Sequence, residues 1–201
     1  RLVYPLVWVS TRLTQLLGKS DKDAITRDEI LALASLGRKD GALKDQENQY
    51  LVNLFNLRDT QTAKILTPRT VVHMLDETIT LSDALDQEAT RHFTRMPVYR
   101  DSPDNVTGMI IRADLFEGER NGRGESSVAS SMHPIIRVPE ELPVYRLLDR
   151  FIREQAHLFL VEDDFGQTAG IVTLEDAVET LLGREIVDES DAVADMQALA
   201  R

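Results

Sequence analysis

Thr173 and Asp176 stand three residues apart, where the apolar run Gly170-Ile171-Val172 gives way to the helical pattern beginning at Leu174. A hydroxyl and a carboxylate at a strand-to-helix turn can do two kinds of chemistry. Toward the backbone they form a capping box, in which the Thr173 hydroxyl accepts an amide of the first helical turn and Asp176 reaches back to the cap. Toward a ligand they offer a hydroxyl and a carboxylate able to accept from two vicinal ribose hydroxyls, beside helix-terminal amides suited to an anion. Both uses stay open on these residues alone.

Either use needs a strand that feeds a helix, and the chain supplies that arrangement twice. Gly108-Met109-Ile110-Ile111-Arg112-Ala113-Asp114 precedes Gly170-Ile171-Val172-Thr173-Leu174-Glu175-Asp176 by 62 residues and keeps the glycine, the apolar positions and the final aspartate. Ile111 stands where the second copy has Thr173. The same offset pairs Arg95-Met96-Pro97-Val98-Tyr99 with His157-Leu158-Phe159-Leu160-Val161, and further back Thr67-Pro68 matches His133-Pro134. A duplication of this kind outranks other fold questions.

Each repeat reads strand, helix, strand, strand, helix, which makes the fold class α/β (α+β). In the first, the pattern predicts a strand over 71–75, a helix over 81–93, and strands over 96–99 and 106–111 joined by Asp101-Ser102-Pro103-Asp104-Asn105. In the second it predicts a strand over 135–138, a helix over 144–155, and strands over 157–161 and 168–172 around Asp163-Asp164-Phe165-Gly166. Apolar runs this continuous predict small sheets buried on both faces. The repeats, 59–118 and 131–191, are expected to pack sheet against sheet about a pseudo-twofold axis, leaving paired clefts where strand ends meet. Residues 119–130, rich in glycine, serine and charge, read as a flexible linker without a site.

Composition limits the function classes. The 201 residues contain no cysteine, which excludes disulfides and thiolate chemistry. The net charge of −11 argues against nucleic acid as partner, because such binding draws on clustered Lys and Arg. A nucleotide carried with a divalent cation remains compatible, since magnesium offsets much of its phosphate charge.

Residues 1–19 open with Leu2-Val3-Tyr4-Pro5-Leu6-Val7-Trp8-Val9, too short to cross a bilayer, so they read as an amphipathic segment or the tail of a membrane segment. Residues 20–58 read as a helical linker. Thr26-Arg27-Asp28-Glu29 has the spacing of a capping box, and Asp45-Gln46-Glu47 opens a second helix after Gly41. Residues 192–201 form an alanine-rich helical tail by pattern.

The blocks Leu66-Thr67-Pro68-Arg69-Thr70, Thr94-Arg95-Met96-Pro97-Val98-Tyr99 and Gly170-Ile171-Val172-Thr173-Leu174-Glu175-Asp176, followed by Glu185-Ile186-Val187-Asp188-Glu189-Ser190-Asp191, occur in the order found in one family. Residues 59–191 resemble a tandem CBS-domain (Bateman) pair of CorC, CNNM and hemolysin-C-like proteins, in which a DUF21 transmembrane domain precedes the pair. The resemblance implies the cytoplasmic regulatory part of a divalent-cation (magnesium or cobalt) transporter or efflux protein, on the inner face of the plasma membrane. It implies a homodimer that passes nucleotide occupancy to its own transmembrane domain. It also implies ATP with magnesium, or AMP, as the regulatory ligand, with Thr173 and Asp176 holding ribose and Arg95 meeting phosphate through its guanidinium fork. Phe93 and Ile171 would wall the adenine, and Asp114 alone would leave the first repeat a weak or empty site. The chain ends soon after Asp191, where many relatives continue into a further domain.

Catalysis is not expected. His73, His92, His133 and His157 lack zinc-site spacings, and there is no G-x-S-x-G elbow, Walker loop or dinucleotide fingerprint. Asp188-Glu189-Ser190-Asp191 reads as a solvated acidic helix end, with weak magnesium binding as the alternative, and no metal ligand is assigned. Two other classes stay open: a ligand-free dimerisation scaffold in which Thr173 and Asp176 only cap a helix, and a regulatory subunit of a metabolic enzyme.

Overall fold

The computed structural model describes residues 25–184 and 186. The expectations for residues 1–19 and 192–201, and for the carboxylates at 188–191, lie outside the described residues. The chain divides into two units, Arg1–Lys44 and Asp45–Arg201. In the first, helix α1 (Arg27–Lys39) starts on the capping box read from the sequence: Thr26 Oγ1 accepts the Glu29 amide at 3.3 Å, and the Glu29 carboxylate accepts the Thr26 amide at 3.0 Å. Acids in its first turn and Arg38 and Lys39 in its last complement the helix dipole.

The second unit begins with α2 (Asp45–Asn56) and holds both repeats. The first repeat runs β2 (Leu75–Asp76), α3 (Leu81–Asp86), β3 (Arg95–Tyr99), β4 (Val106–Ile111) and α4 (Arg112–Arg120). The second runs β5 (Ile136–Pro139), α5 (Val144–Glu154), β6 (Leu158–Glu162), β7 (Thr168–Thr173) and α6 (Leu174–Leu182). In each, the first strand is parallel to the central one and the central one antiparallel to the last. The expected order of elements holds in both copies.

The short strand β1 (Thr67–Pro68) does not join the repeat it precedes. It pairs antiparallel with β7, giving the sheet order β1-β7-β6-β5, with Thr67 opposite Ile171. His133 makes the reciprocal crossing onto β4, exchanging two backbone hydrogen bonds with Met109 at 2.9 and 2.7 Å. The segments leading into the repeats follow the same rule. Thr62 and Ala63 donate their amides to Leu142 and Glu140 of the second repeat, while Val128 and Ala129 donate theirs to Ile79 and Glu77 of the first. Gly108 and Gly170 sit under the crossing strands. A Cβ on Gly108 would lie 2.7 Å from the His133 carbonyl oxygen, and one on Gly170 would overlap the Thr67 carbonyl oxygen. No other residue type gives the incoming backbone room.

Each repeat has its own core, completed by residues from before the other. Leu57 and Ile65 join Val138, Leu147, Phe151, Phe159 and Val172 in the second, where Phe151 stacks on Phe159 at 4.1 Å. Val128 joins Leu75, Leu81, Met96, Val98 and Ile110 in the first. Each such aliphatic side chain contributes about 1.5–3 kcal/mol by leaving water.

Four expectations change. Burial on both faces holds only for the central strands β3 and β6, because β4 and β7 alternate buried and half-buried positions. The strand expected over 71–75 is confined to Leu75–Asp76, since the Val71 and Val72 amides turn back onto the Pro68 and Arg69 carbonyls. The helix expected over 81–93 stops at Asp86: Gln87 is extended and a 3-10 turn follows over Glu88–Arg91. Residues 119–130 are no loose tether. α4 runs to Arg120, Val128 is fully buried, and the Gly124 and Ser126 carbonyls accept the Ser82 and Leu81 amides.

Near this strap Glu77 is buried, with Arg100 Nε at 2.5 Å and the Thr107 hydroxyl at 3.0 Å. The Arg100 guanidinium holds its carboxyl below the usual range, against the opposing effect of burial. His73 stacks on Phe93 with centroids 5.9 Å apart and shares a 3.2 Å hydrogen bond with Thr90, and burial lowers its pKa from 6.5.

Gly170→Ala will force β1 off β7 and destabilise the protein by about 1–3 kcal/mol, the usual range for overpacking, read as a lower urea midpoint. For His73 the unfolded chain binds the proton more readily than the folded one. Its contribution is therefore whole above pH 6.5 and lost as pH falls from 6.5 through the lower folded pKa. His73→Asn should flatten the decline of Tm with acidification in that window, and the His73 ring resonances of the wild type should titrate below 6.5.

Candidate functional site

The two strand-to-helix turns are built alike and equipped differently. On β7 the core-facing positions are Thr168, Gly170 and Val172, so Ile171 and Thr173 share the opposite, half-buried face. Thr173 is the N-cap of α6. Its amide donates to Asp176 Oδ2 at 2.7 Å, its hydroxyl donates to the same oxygen at 2.8 Å, and the Asp176 amide approaches Thr173 Oγ1 at 3.2 Å. Both sequence-derived uses of the pair begin from this geometry. The backbone use is realised, and the carboxylate and hydroxyl are held together at a helix N-terminus, with Thr67 of the crossing strand opposite Ile171 two residues earlier.

In the first repeat Ile111 caps α4 without a side-chain hydrogen bond. Asp114, the counterpart of Asp176, accepts instead from His133 Nε2 at 2.8 Å. His133 is brought there by the strand crossing that also pairs its backbone with Met109. The carboxylate is thus engaged by an imidazole where the second repeat engages its own cap.

Arg95 opens β3 opposite Ile111, half-buried, and so belongs to the first turn. Phe93 lies two residues earlier, packed against the first core and stacked on His73. The candidate residues therefore fall into two groups: Phe93, Arg95 and Asp114 around the first turn, and Ile171, Thr173 and Asp176 around the second. Sequence reasoning missed His133 and Thr67 as neighbours of these groups. The matched Thr67-Pro68 and His133-Pro134 pairs carried the signal, because each lies where a crossing strand meets its glycine. Among the described residues no group of three or more His, Cys, Asp or Glu is placed to hold a metal ion, and no helix is long and apolar enough to cross a membrane.

Comparison with known proteins fits this architecture. The CBS domain family matches residues 63–120 and 127–183, more than half of the chain and once per repeat. A UPF0053 protein of Synechocystis is 34% identical over 198 residues, which cover 98% of this chain and 57% of that protein. The chain spans about half the length of such curated relatives. The CBS domain of a bacterial CNNM/CorC family Mg2+ transporter superposes with a TM-score of 0.74 at 33% identity, over 82% of this chain and 99% of that one. A structure of the CBS domain of the bacterial CNNM/CorC family Mg2+ transporter in complex with ATP matches with a TM-score of 0.66 at 34% identity, over 69% and 99%. With two matched repeats, a pseudo-twofold exchange of their leading strands and this similarity along the pair, the chain belongs to the CBS-domain family, as a tandem pair of the CorC/CNNM group.

Proposed function

We propose that this pair is the adenine-nucleotide-binding regulatory module of a CorC/CNNM-like divalent-cation transporter or efflux protein, and that its ligand is ATP carried with Mg2+. The observation that carries the reading is the Thr173–Asp176 constellation at the end of β7, which the first repeat lacks. A ribose offers vicinal hydroxyls that both donate and accept, and Thr173 and Asp176 present a hydroxyl and a carboxylate side by side at the end of β7. Thr173 and Asp176 therefore hold ribose, with the adenine on the Ile171 side. Arg95 meets phosphate from the other repeat. Phe93, committed to its stack on His73, borders the adenine only at its edge. Asp114, already paired with His133, leaves the first turn the weaker site. Similarity to an ATP-bound CBS domain at 34% identity supports the ligand class.

The relatives' extra length leaves room for the transmembrane domain that the module would regulate, with the module on the cytoplasmic face. Nucleotide acts by preferring one arrangement of the pair, so that occupancy shifts a population rather than driving chemistry. A homodimer suits the exposed Phe116 on α4 and Ile152 on α5, large apolar side chains that a second copy would cover.

A second reading has its own observation: Thr173 and Asp176 already satisfy one another as a helix cap, which a ligand-free scaffold would also need. Calorimetry separates the two. The wild type should bind ATP with Mg2+, and AMP under the same conditions measures what the outer phosphates add. Thr173→Ile, which copies the first repeat, should weaken binding at least about tenfold, the worth of one hydrogen bond to a charged group. Absence of heat in the wild type, or equal affinity in a folded Thr173→Ile variant, removes the nucleotide reading.

A further inference from the structure

α6 carries the proposed ribose-binding pair at one end and is gripped at the other by a residue from outside both repeats. It has nine residues and is therefore about 13 Å long. Its C-terminus closes on Gly183, at φ +67°, whose amide returns to the Glu179 carbonyl at 2.7 Å. The Leu181 carbonyl, one of the acceptors that a helix end leaves without an intrahelical partner, takes a hydrogen bond from Asn53 Nδ2 on α2 at 3.1 Å. Asn53 is itself oriented, its Oδ1 accepting from Gln49 Nε2 at 2.8 Å one turn earlier. The fit is close, since a Cβ on Gly183 would lie 2.5 Å from the Asn53 amide nitrogen. Within α6, the Thr180 hydroxyl donates to the Asp176 carbonyl at 2.8 Å, tying the last turn to the residue that builds the first.

α2 precedes the first repeat in the chain and yet is fixed to the second. Past its end, Leu57 is buried in the second core, and the Leu57 and Thr60 carbonyls accept the Tyr145 and Val144 amides at the start of α5. A displacement of α6 therefore reaches α2 directly, without passing through the first repeat.

We propose that Asn53 is the positioning residue that couples the Thr173–Asp176 end of α6 to α2, so that a change at the cap is read out in the helix leading toward the preceding part of the chain. The nucleotide arm of this proposal rests on the function proposed above; the mechanical arm does not. Hydrogen exchange of the α2 amides reports the coupling in a double-mutant cycle of wild type, Thr173→Ile, Asn53→Ala and the double variant, each with and without ATP and Mg2+. Asn53→Asp, the same size with the donor replaced by an acceptor, serves as the second uncoupling variant, and thermal melts confirm that each protein is folded.

Without nucleotide, Thr173→Ile should speed α2 exchange roughly three- to tenfold, the size that loss of one cap implies, when Asn53 is present, and leave it unchanged in Asn53→Ala and Asn53→Asp. With nucleotide, the wild type should gain protection at both α6 and α2. The Asn53 variants should bind as tightly and gain it at α6 alone. An α2 rate indifferent to Thr173→Ile, or a response that survives both Asn53 substitutions, overturns the coupling. A nucleotide without effect in the wild type, alongside an intact mutational cycle, upholds the coupling and removes only the nucleotide reading.

Discussion

The fold depends on an exchange of backbone between the two repeats. Thr67 leaves the first repeat to pair with Ile171 of the second, and His133 leaves the second to pair with Met109 of the first. Neither sheet is finished by its own repeat. The same segments carry Leu57, Ile65 and Val128 into the opposite cores, so the apolar burial that stabilises each half includes side chains covalently tied to the other. A repeat cut from its partner would expose the edge of its last strand and leave a gap in its interior, and both are costly. The pair is therefore one cooperative object. The glycines at 108 and 170 follow from that fact, because the crossing carbonyls come closest to the backbone there.

This constraint also decides what each turn can hold. The crossing strand brings its own residue close to each turn: His133 reaches Asp114 in the first, and Thr67 lies opposite Ile171 in the second. His133 Nε2 reaches Asp114, the acidic residue of the first turn of α4, and Ile111 contributes no hydroxyl to compete for it. In the second turn the carboxylate finds its own cap. The two turns thus differ in the side chains they bring together, Ile111 and His133 in one and Thr173 in the other.

Much of this was legible in the residues. The 62-residue offset predicted the strand order within each repeat, because it preserved glycine, apolar run and aspartate together. Thr26 with Glu29, and Thr173 with Asp176, announced their capping boxes by spacing, and both are present. The exchange was not legible, since a two-residue strand such as Thr67–Pro68 carries no periodicity and its partner lies more than a hundred residues away. The break at Gln87 was hidden because Leu81, Ala84 and Leu85 begin a helical face that Glu88 and Ala89 only weakly continue, so a local pattern promised more turns than the core could use. Residues 119–130 misled by composition: glycine and serine permit flexibility, yet hydrogen bonds to Ile79, Leu81 and Ser82 and the buried Val128 remove it.

The remaining tension lies in the Thr173–Asp176 pair, where a helix cap and the proposed ribose contact draw on the same oxygens. A cap of this kind is worth about 0.5–2 kcal/mol, and a hydrogen bond to a charged group about 1.5–3 kcal/mol. A ligand that dismantled the cap would return much of its gain, whereas one that left the cap in place would keep both. The Thr173 amide and hydroxyl already converge on Asp176 Oδ2. Under the proposed function the cap holds the acid in place before any sugar arrives, and that preorganisation lowers the entropic cost of binding. The helix end that makes the protein stable and the helix end that would make it sensitive are then the same structure, and changing either residue must alter both.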